Sequence, residues 1–195
     1  MKKFISLLSL YIYSPMKKAL AAIIVASGFG ILHTWLMLSG KLTDLGGSLF
    51  VREWIGEGAV FGVTFWCFLF LFSALADNPA NSSGRSAYTI ERMGFSEAGL
   101  YWTNALADLI YLLLFHFALG LSSMGRIALA EKYGALYAGP QGIYLDIIND
   151  VLESVAFPMY NTTLKIAIPL LIVTAALVSA AISQGKRRSQ TQESM

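Results

Sequence analysis

Charge is scarce in this chain of 195 residues. Charged side chains make up 13% of it and hydrophobic residues 56%, whereas charged residues make up about 25% of an average soluble domain. This balance excludes an ordinary soluble globular domain and indicates a polytopic membrane protein. The formal net charge of +2 says little about partners, and we expect no nucleic acid among them.

Cysteine and histidine are nearly absent as well. Cys67 is the single cysteine, so no internal disulfide can form, and its apolar surroundings in the sequence suggest a small buried hydrophobe. His33 and His116 have no serine, cysteine or metal-ligand partner nearby in the sequence. No glycine-rich loop of the nucleotide-binding kind is present. We therefore expect no catalytic residues, no metal site, no cofactor and no ATP hydrolysis by this chain itself.

Four long apolar runs predict transmembrane helices, since a span needs about 20 apolar residues. They cover residues 19–39, 58–76, 99–121 and 163–183. The fold class is therefore all-α: a polytopic bundle of membrane helices forming a single domain, residues 1–184. Pro169 is expected to kink the last span near its start. The polar residues 185–195 are expected to form a disordered cytoplasmic tail.

Two further segments predict helices outside the spans. Residues 3–14 are mostly apolar but too short to cross a bilayer, and Tyr11 and Tyr13 suit the headgroup layer. We therefore predict an interfacial helix there. Residues 142–156 carry an apolar stripe and three acids, which exclude a span and predict an amphipathic surface helix.

Small residues recur at helical spacing along the first and last spans. Such strips let other helices approach closely, and we expect helices of a second subunit to be among them. The strip in the first span consists of Ala22, Ala26, Gly30 and Thr34, and that in the last span consists of Ala175, Ser179 and Ser183.

The distribution of Lys and Arg predicts the orientation. Four spans put both termini on one side, together with the loop between the second and third spans. That side carries nine Lys and Arg residues and the other side five, of 14 in total. The positive-inside rule then places both termini and this loop in the cytoplasm of a cell-membrane protein, and residues 142–156 outside.

A polar interruption, residues 85–102, separates the second and third spans. It divides into a short cytoplasmic helix at 87–93, ended by Gly94 in a left-handed turn, and a second helix capped by Ser96, whose first turn holds Glu97. Ile90 and Met93 share one apolar face of the short helix, while Glu91 and Arg92 point elsewhere. This is either an ordinary charged loop or a docking element for a cytoplasmic partner.

Asn104 and Asp108, one turn apart, form the only polar stripe inside a predicted span. Asp108 lies roughly 14 Å into that span, near the middle of the bilayer. An acid at that depth is costly unless paired and indicates a functional site by default. His33, at a comparable depth in the first span, is a candidate partner. Two interpretations stay open: a polar contact that locks helices together, or a step in a transport route.

The order of these elements, with the stretch YTIERMGFSE in the interruption, resembles the permease subunits of ABC-2 type transporters, in particular small permease-like proteins of Gram-positive bacteria. The resemblance implies that the interfacial segment is the family's elbow helix and that the short helix couples to a separate ABC ATPase subunit. It also implies a second permease subunit. The coupling positions would be Tyr88, Thr89, Ile90, Glu91, Arg92, Met93 and Gly94. The family typically has six spans, and this chain departs from it with four.

On this basis we predict a permease subunit that couples ATP hydrolysis by a partner to substrate export. The alternative is an accessory or immunity-type membrane protein without transport activity, which would bind a partner in the bilayer. A membrane enzyme is disfavoured because paired acids and bases are missing.

Overall fold

The computed structural model describes residues 2–39, 58–82, 90, 93–134 and 162–193. Within these residues the secondary structure is helical throughout and contains no strand, which confirms the all-α prediction. The cytoplasmic helix predicted at 87–93 lies mostly outside the described residues, and the outside helix predicted at 142–156 lies wholly outside them. The helices are α1 (Lys2–Tyr13), α2 (Met16–Leu38), α3 (Ala59–Ala76), α4 (Pro79–Ser82), α5 (Glu97–Gly134) and α6 (Thr162–Glu193).

Four of these helices, α2, α3, α5 and α6, are long and apolar enough to cross a membrane, by length and composition. Each contains or closely matches one of the four predicted spans. Helix α1, of 12 residues, is a separate helix that corresponds to the predicted interfacial segment. The four spans are thus confirmed as apolar helices, whereas their orientation stays a prediction.

Helices α5 and α6 are longer than the spans predicted for them. Helix α5 has 38 residues and is roughly 57 Å long, and α6 has 32 residues and is roughly 48 Å long, at the usual rise per residue. The hydrocarbon core of a bilayer is about 30 Å thick. Both helices therefore extend beyond it, and α6 runs through Pro169 without a break.

The prediction of a disordered tail after residue 184 is wrong for residues 185–193, which continue α6. Gly185 lies inside this helix and does not end it. The reason lies in charge pairing: Lys186 binds Asp77, and Arg187 and Arg188 bind Glu97. These contacts hold the polar end of α6 against other parts of the chain.

The turn that leads into α5 is the one predicted from the sequence. Gly94 has a φ of 66°, a left-handed conformation that other residues adopt only at a cost. Ser96 caps α5: its hydroxyl accepts from the amide of Gly99 at 3.2 Å, and its carbonyl accepts from the amide of Leu100 at 3.0 Å. Glu97 follows in the first turn, where the helix dipole favours an acid.

The contacts of the chain group it into two compact units. The first unit comprises Met1–Ala22, Leu69–Leu114 and Pro169–Met195, and the second comprises Ile23–Phe68 and Phe115–Ile168. Each unit draws on several helices, and each is described by itself below.

The core of the first unit is an apolar cluster around α1. Ile90, from the polar interruption, is 1% exposed within it, and Met93 packs against it from its edge. The cluster therefore joins α1 and the interruption to the start of α5. Its buried members are Leu7, Tyr11, Ala80, Ile90, Leu100 and Ala107.

In the second unit, α2 and α5 approach closely at Gly30. A Cβ at this position would lie 2.9 Å from Ser122 Oγ, so a larger residue would require the Ser122 hydroxyl to move. Ser122 donates to the carbonyl of Ser27 at 2.6 Å, and Arg126 Nε donates to Thr34 Oγ1 at 2.8 Å. The part of the small-residue strip that includes Gly30 and Thr34 therefore faces α5 of the same chain and offers no argument for a second subunit.

The burial of Ile90 predicts that the same isoleucine-to-alanine change has different effects on stability at two positions. Ile90→Ala removes a fully packed side chain and should cost about 2–4 kcal/mol, lowering the unfolding temperature of the purified protein. Ile24→Ala, at a position 65% exposed in α2, is the matched control and should change it little. Scanning fluorimetry in detergent measures both, and equal losses would show that Ile90 does not belong to the core.

Candidate functional site

A buried polar network lies in the first unit, on α1, α4, α5, α6 and the loop before α4. We use the name for seven residues, each at most 4% exposed: Tyr11, Asn78, Asn81, Asn104, Asp108, Ser179 and Ser183. In lipid, backbone and side-chain polar groups must find their partners inside the protein, so the pairing within this set decides what it can do.

Asn78 is the junction of the network. Its side-chain oxygen accepts from the amide of Ala80 at 3.0 Å, so it caps α4, and Pro79 follows at the first helical position, where its missing N–H costs nothing. Its side-chain nitrogen donates to the carbonyl of Tyr11 at 3.2 Å and to Asn104 Oδ1 at 3.4 Å. One asparagine therefore joins α1, α4 and α5.

The carboxyl end of α1 is held by side chains of other elements. The last carbonyls of any helix lack partners within it. Here Asn78 donates to the carbonyl of Tyr11, and the hydroxyl of Tyr111 on α5 donates to the carbonyl of Ile12 at 2.5 Å. Helix α1 is thus docked on the chain by specific hydrogen bonds as well as by its apolar face.

A second chain of hydrogen bonds runs from α1 to α6. The hydroxyl of Tyr11 donates to Asn81 Oδ1 at 3.0 Å, and Asn81 Nδ2 donates to Ser183 Oγ at 2.7 Å. Burial raises the pKa of Tyr11 to about 12, because desolvation disfavours the phenolate. The hydroxyl consequently stays protonated, and remains a donor, throughout the physiological range.

Asp108 meets Ser179 at the centre of the bundle. Its side chain is fully buried, and Ser179 Oγ lies 2.6 Å from Asp108 Oδ2. Asp108 Oδ1 and Asn104 Nδ2 are buried and have no hydrogen-bond partner. Leaving a buried polar group without a hydrogen-bond partner costs about 1–3 kcal/mol, so these two atoms are the least satisfied part of the network.

Ion pairs of Glu97 connect the beginning of α5 to the end of α6. Arg187 Nη2 lies 2.5 Å from Glu97 Oε1, Arg188 Nη2 lies 3.1 Å from Glu97 Oε2, and Gln184 Nε2 donates to the carbonyl of Glu97 at 2.8 Å. The Glu97 side chain is 54% exposed, so each pair contributes little alone. Together the pairs place these two helix ends on one side of the bundle.

The predicted site residues are only partly brought together. Asn104 and Asp108 belong to the network, as their spacing indicated. The hydrogen bond of Asp108 goes to Ser179. In the second unit, the ring of His33 lies 6.0 Å from that of Phe29, and the Asp108–His33 contact stays a prediction.

Of the seven predicted coupling residues, Tyr88, Thr89, Glu91 and Arg92 lie outside the described residues. Ile90 is buried in the cluster around α1, so its side chain is not available as an exposed anchor. Met93 is half-buried beside it. Lys3 Nζ donates to the carbonyl of Met93 at 3.4 Å, which adds a polar contact between α1 and the interruption.

Sequence reasoning missed Asn78, Asn81 and the role of Tyr11. The available signal was Asn78-Pro79, an N-cap residue followed by proline at the first helical position, which marks a short helix. Among the described residues, no group of three or more His, Cys, Asp or Glu side chains could hold a metal ion.

Comparison of the chain with known protein families, curated proteins and solved structures finds no match.

The three hydrogen bonds of Asn78 predict that α1 loosens when they are removed. In Asn78→Ala, α4 loses its cap and two carbonyl oxygens lose a donor; each lost bond of this kind costs about 1–3 kcal/mol. Amide exchange in residues 2–13 should then accelerate at least about tenfold, since tenfold corresponds to about 1.4 kcal/mol. Mass-spectrometric hydrogen exchange in nanodiscs measures this.

The matched control for that experiment is Ser6→Ala. Ser6 lies on α1 but is exposed, and its hydroxyl bonds only to the carbonyl of Lys2 in the same helix. Its exchange should stay near that of the parent protein. Equal exchange of α1 in Asn78→Ala and in the parent would contradict the docking role assigned to Asn78.

Proposed function

We propose that this protein is a membrane-spanning permease subunit of an ABC-2-like exporter and that a separate ATPase supplies the energy. The four apolar helices indicate a multi-pass membrane protein, and the stretch YTIERMGFSE resembles the coupling segment of that family. Neither feature indicates the class of substrate.

The observation that carries the proposal is the packing of the polar interruption on α1 and α5. Ile90 is buried with Leu7 and Tyr11 of α1 and with Leu100 of α5. A force applied to the interruption by a partner would therefore act on α1 and on the start of α5 together. Only the turn at Gly94 and the cap at Ser96 separate Ile90 and Met93 from α5, so a displacement of these two residues would reach α5 over a short connection.

The charged end of the bundle supports the same proposal. Lys186 binds Asp77 beyond the end of α3, and Arg187 and Arg188 bind Glu97 at the start of α5. The ends of α3 and α6 and the start of α5 therefore share one side with the interruption. By the distribution of Lys and Arg this is the cytoplasmic side, where an ATPase would act.

The burial of Ile90 changes which residues would contact the ATPase. With Ile90 buried beside α1, we assign the contact to Tyr88, Glu91 and Arg92, coupling positions that the family resemblance implies. Charged residues at the rim of a contact set its specificity and its sensitivity to salt.

One observation favours the alternative, an accessory or immunity-type membrane protein. The apolar anchor expected for an ATPase partner, Ile90, is used inside the chain. Such a protein would keep the same helix packing and would neither bind nor stimulate an ATPase.

The test uses charge exchange at Glu91 and Arg92. The double variant Glu91→Lys with Arg92→Glu keeps the net charge but reverses both charges at the proposed contact. Co-expressed with an ABC ATPase that the parent binds, the variant should lose co-purification and the stimulation of ATP hydrolysis, and the loss should be larger at low salt. Insertion into the membrane should be unchanged.

The matched control is Glu131→Lys with Lys132→Glu, the same kind of dipeptide near the far end of α5. It should bind and stimulate the ATPase like the parent. If the variant at residues 91 and 92 binds and stimulates the ATPase like the parent, these two residues do not form the contact. If the parent itself neither binds nor stimulates the ATPase, the accessory-protein alternative replaces the permease.

A further inference from the structure

Two buried side chains on α5 have polar atoms that no hydrogen bond satisfies. Asp108 is 0% exposed and its Oδ1 atom has no partner; Asn104 is 1% exposed and its Nδ2 atom has no partner. The two residues are one helical turn apart, so their side chains are neighbours on one face of α5. An acceptor and a donor are thus left unpaired in the same part of the core.

The hydroxyl of Ser179 has two contacts, and the number of protons available decides whether both can be hydrogen bonds. Ser179 Oγ lies 2.6 Å from Asp108 Oδ2 and 3.0 Å from the carbonyl oxygen of Ala176. A serine hydroxyl has one proton and can donate to only one of these oxygens, although it can accept as well. Both distances are of hydrogen-bond length, so a second proton must lie in one of the two contacts if both are hydrogen bonds.

The charged groups around Asp108 do not supply a counter-ion. From α1 the titratable residue of the network is Tyr11, which is neutral. On α5 the hydroxyls of Tyr101 and Tyr111 donate to the carbonyls of Leu177 and Ile12. In the part of α6 that belongs to the first unit, the cations are Lys186, Arg187 and Arg188, which bind Asp77 and Glu97. Within the described part of the chain, no salt bridge to Asp108 is formed.

We propose that Asp108 is a proton-binding site: its carboxyl group holds a proton and donates it in a hydrogen bond to Ser179 Oγ. Ser179 then donates its own proton to the carbonyl of Ala176, so that both observed contacts are hydrogen bonds. The remaining carboxyl oxygen is neutral, and Asn104 Nδ2 is the adjacent donor. No charge is left in the middle of the bilayer, where an unpaired one is expensive.

This arrangement makes the proton a link between α5 and α6. With the proton bound, a hydrogen bond joins the two helices without a buried charge. Without it, a carboxylate with one donor faces the apolar core, and that state favours separation of the helices or entry of water. The inference stands on the packing of α5 against α6 and does not depend on the transport function.

Infrared spectroscopy of the protein in lipid bilayers at neutral pH tests the proposal. A protonated carboxyl group gives a C=O stretching band well separated from carboxylate bands, and labelling with ¹³C-carboxyl aspartate assigns it to aspartate. The expected result is one buried aspartic acid band in the parent. Asp108→Asn should remove it, and Ser179→Ala should shift its frequency because the hydrogen-bond acceptor is lost.

Asp77→Asn is the matched control, since Asp77 is an exposed acid paired with Lys186, and it should leave the band unchanged. Absence of the labelled band from the parent at neutral pH would overturn the proposal, as would its persistence in Asp108→Asn. A band whose frequency is the same in Ser179→Ala would overturn the assigned donor direction. If Asp108→Asn does not fold, the ¹³C label and Ser179→Ala decide the question alone.

Discussion

The fold of the first unit depends on the hydrogen bonds of one buried asparagine. Asn78 caps α4 and donates to the carbonyl of Tyr11 and to Asn104 Oδ1. It thereby satisfies an acceptor at the end of α1 that neither lipid nor the helix itself can satisfy. Without it, α1 would keep only the hydroxyl of Tyr111 at that end, and the apolar cluster formed by α1 with Ile90 would lose its fixed position.

The same constraint explains the arrangement of the remaining polar groups. One chain of hydrogen bonds connects α1 to α6 through Tyr11, Asn81 and Ser183. Glu97 binds two arginines at the end of α6. Ile90 packs the polar interruption against the apolar cluster around α1. One set of contacts thus fixes the ends of several helices.

Much of the fold was predictable from the sequence. The apolar runs gave the four long helices, and the local chemistry of Gly94 and Ser96 gave the turn and cap before α5, because these features depend on neighbouring residues alone. The network was only half predictable. The spacing of Asn104 and Asp108 marked one face of α5, but their partners Asn78 and Ser179 come from distant parts of the chain, and no local pattern specifies them.

The errors have the same origin. Asp108 binds Ser179 of α6, a partner that the depth of Asp108 in its span does not specify. Ile90 reads in sequence as an outward apolar anchor, and it is buried because α1 covers it. The end of α6 reads as a disordered tail, and it is helical to Glu193 because Asp77 and Glu97 bind its cations. Each outcome required contacts that only the folded chain supplies.

The central claim is that the polar interruption and the end of α6 face the cytoplasm. It is tested most directly by single-cysteine labelling in a Cys67→Ala background, with a membrane-impermeant maleimide on intact and on permeabilised cells. Ser83→Cys and Ser189→Cys should react only after permeabilisation, and Gly139→Cys should react in intact cells. Labelling of positions 83 and 139 from the same side of the membrane would contradict the account.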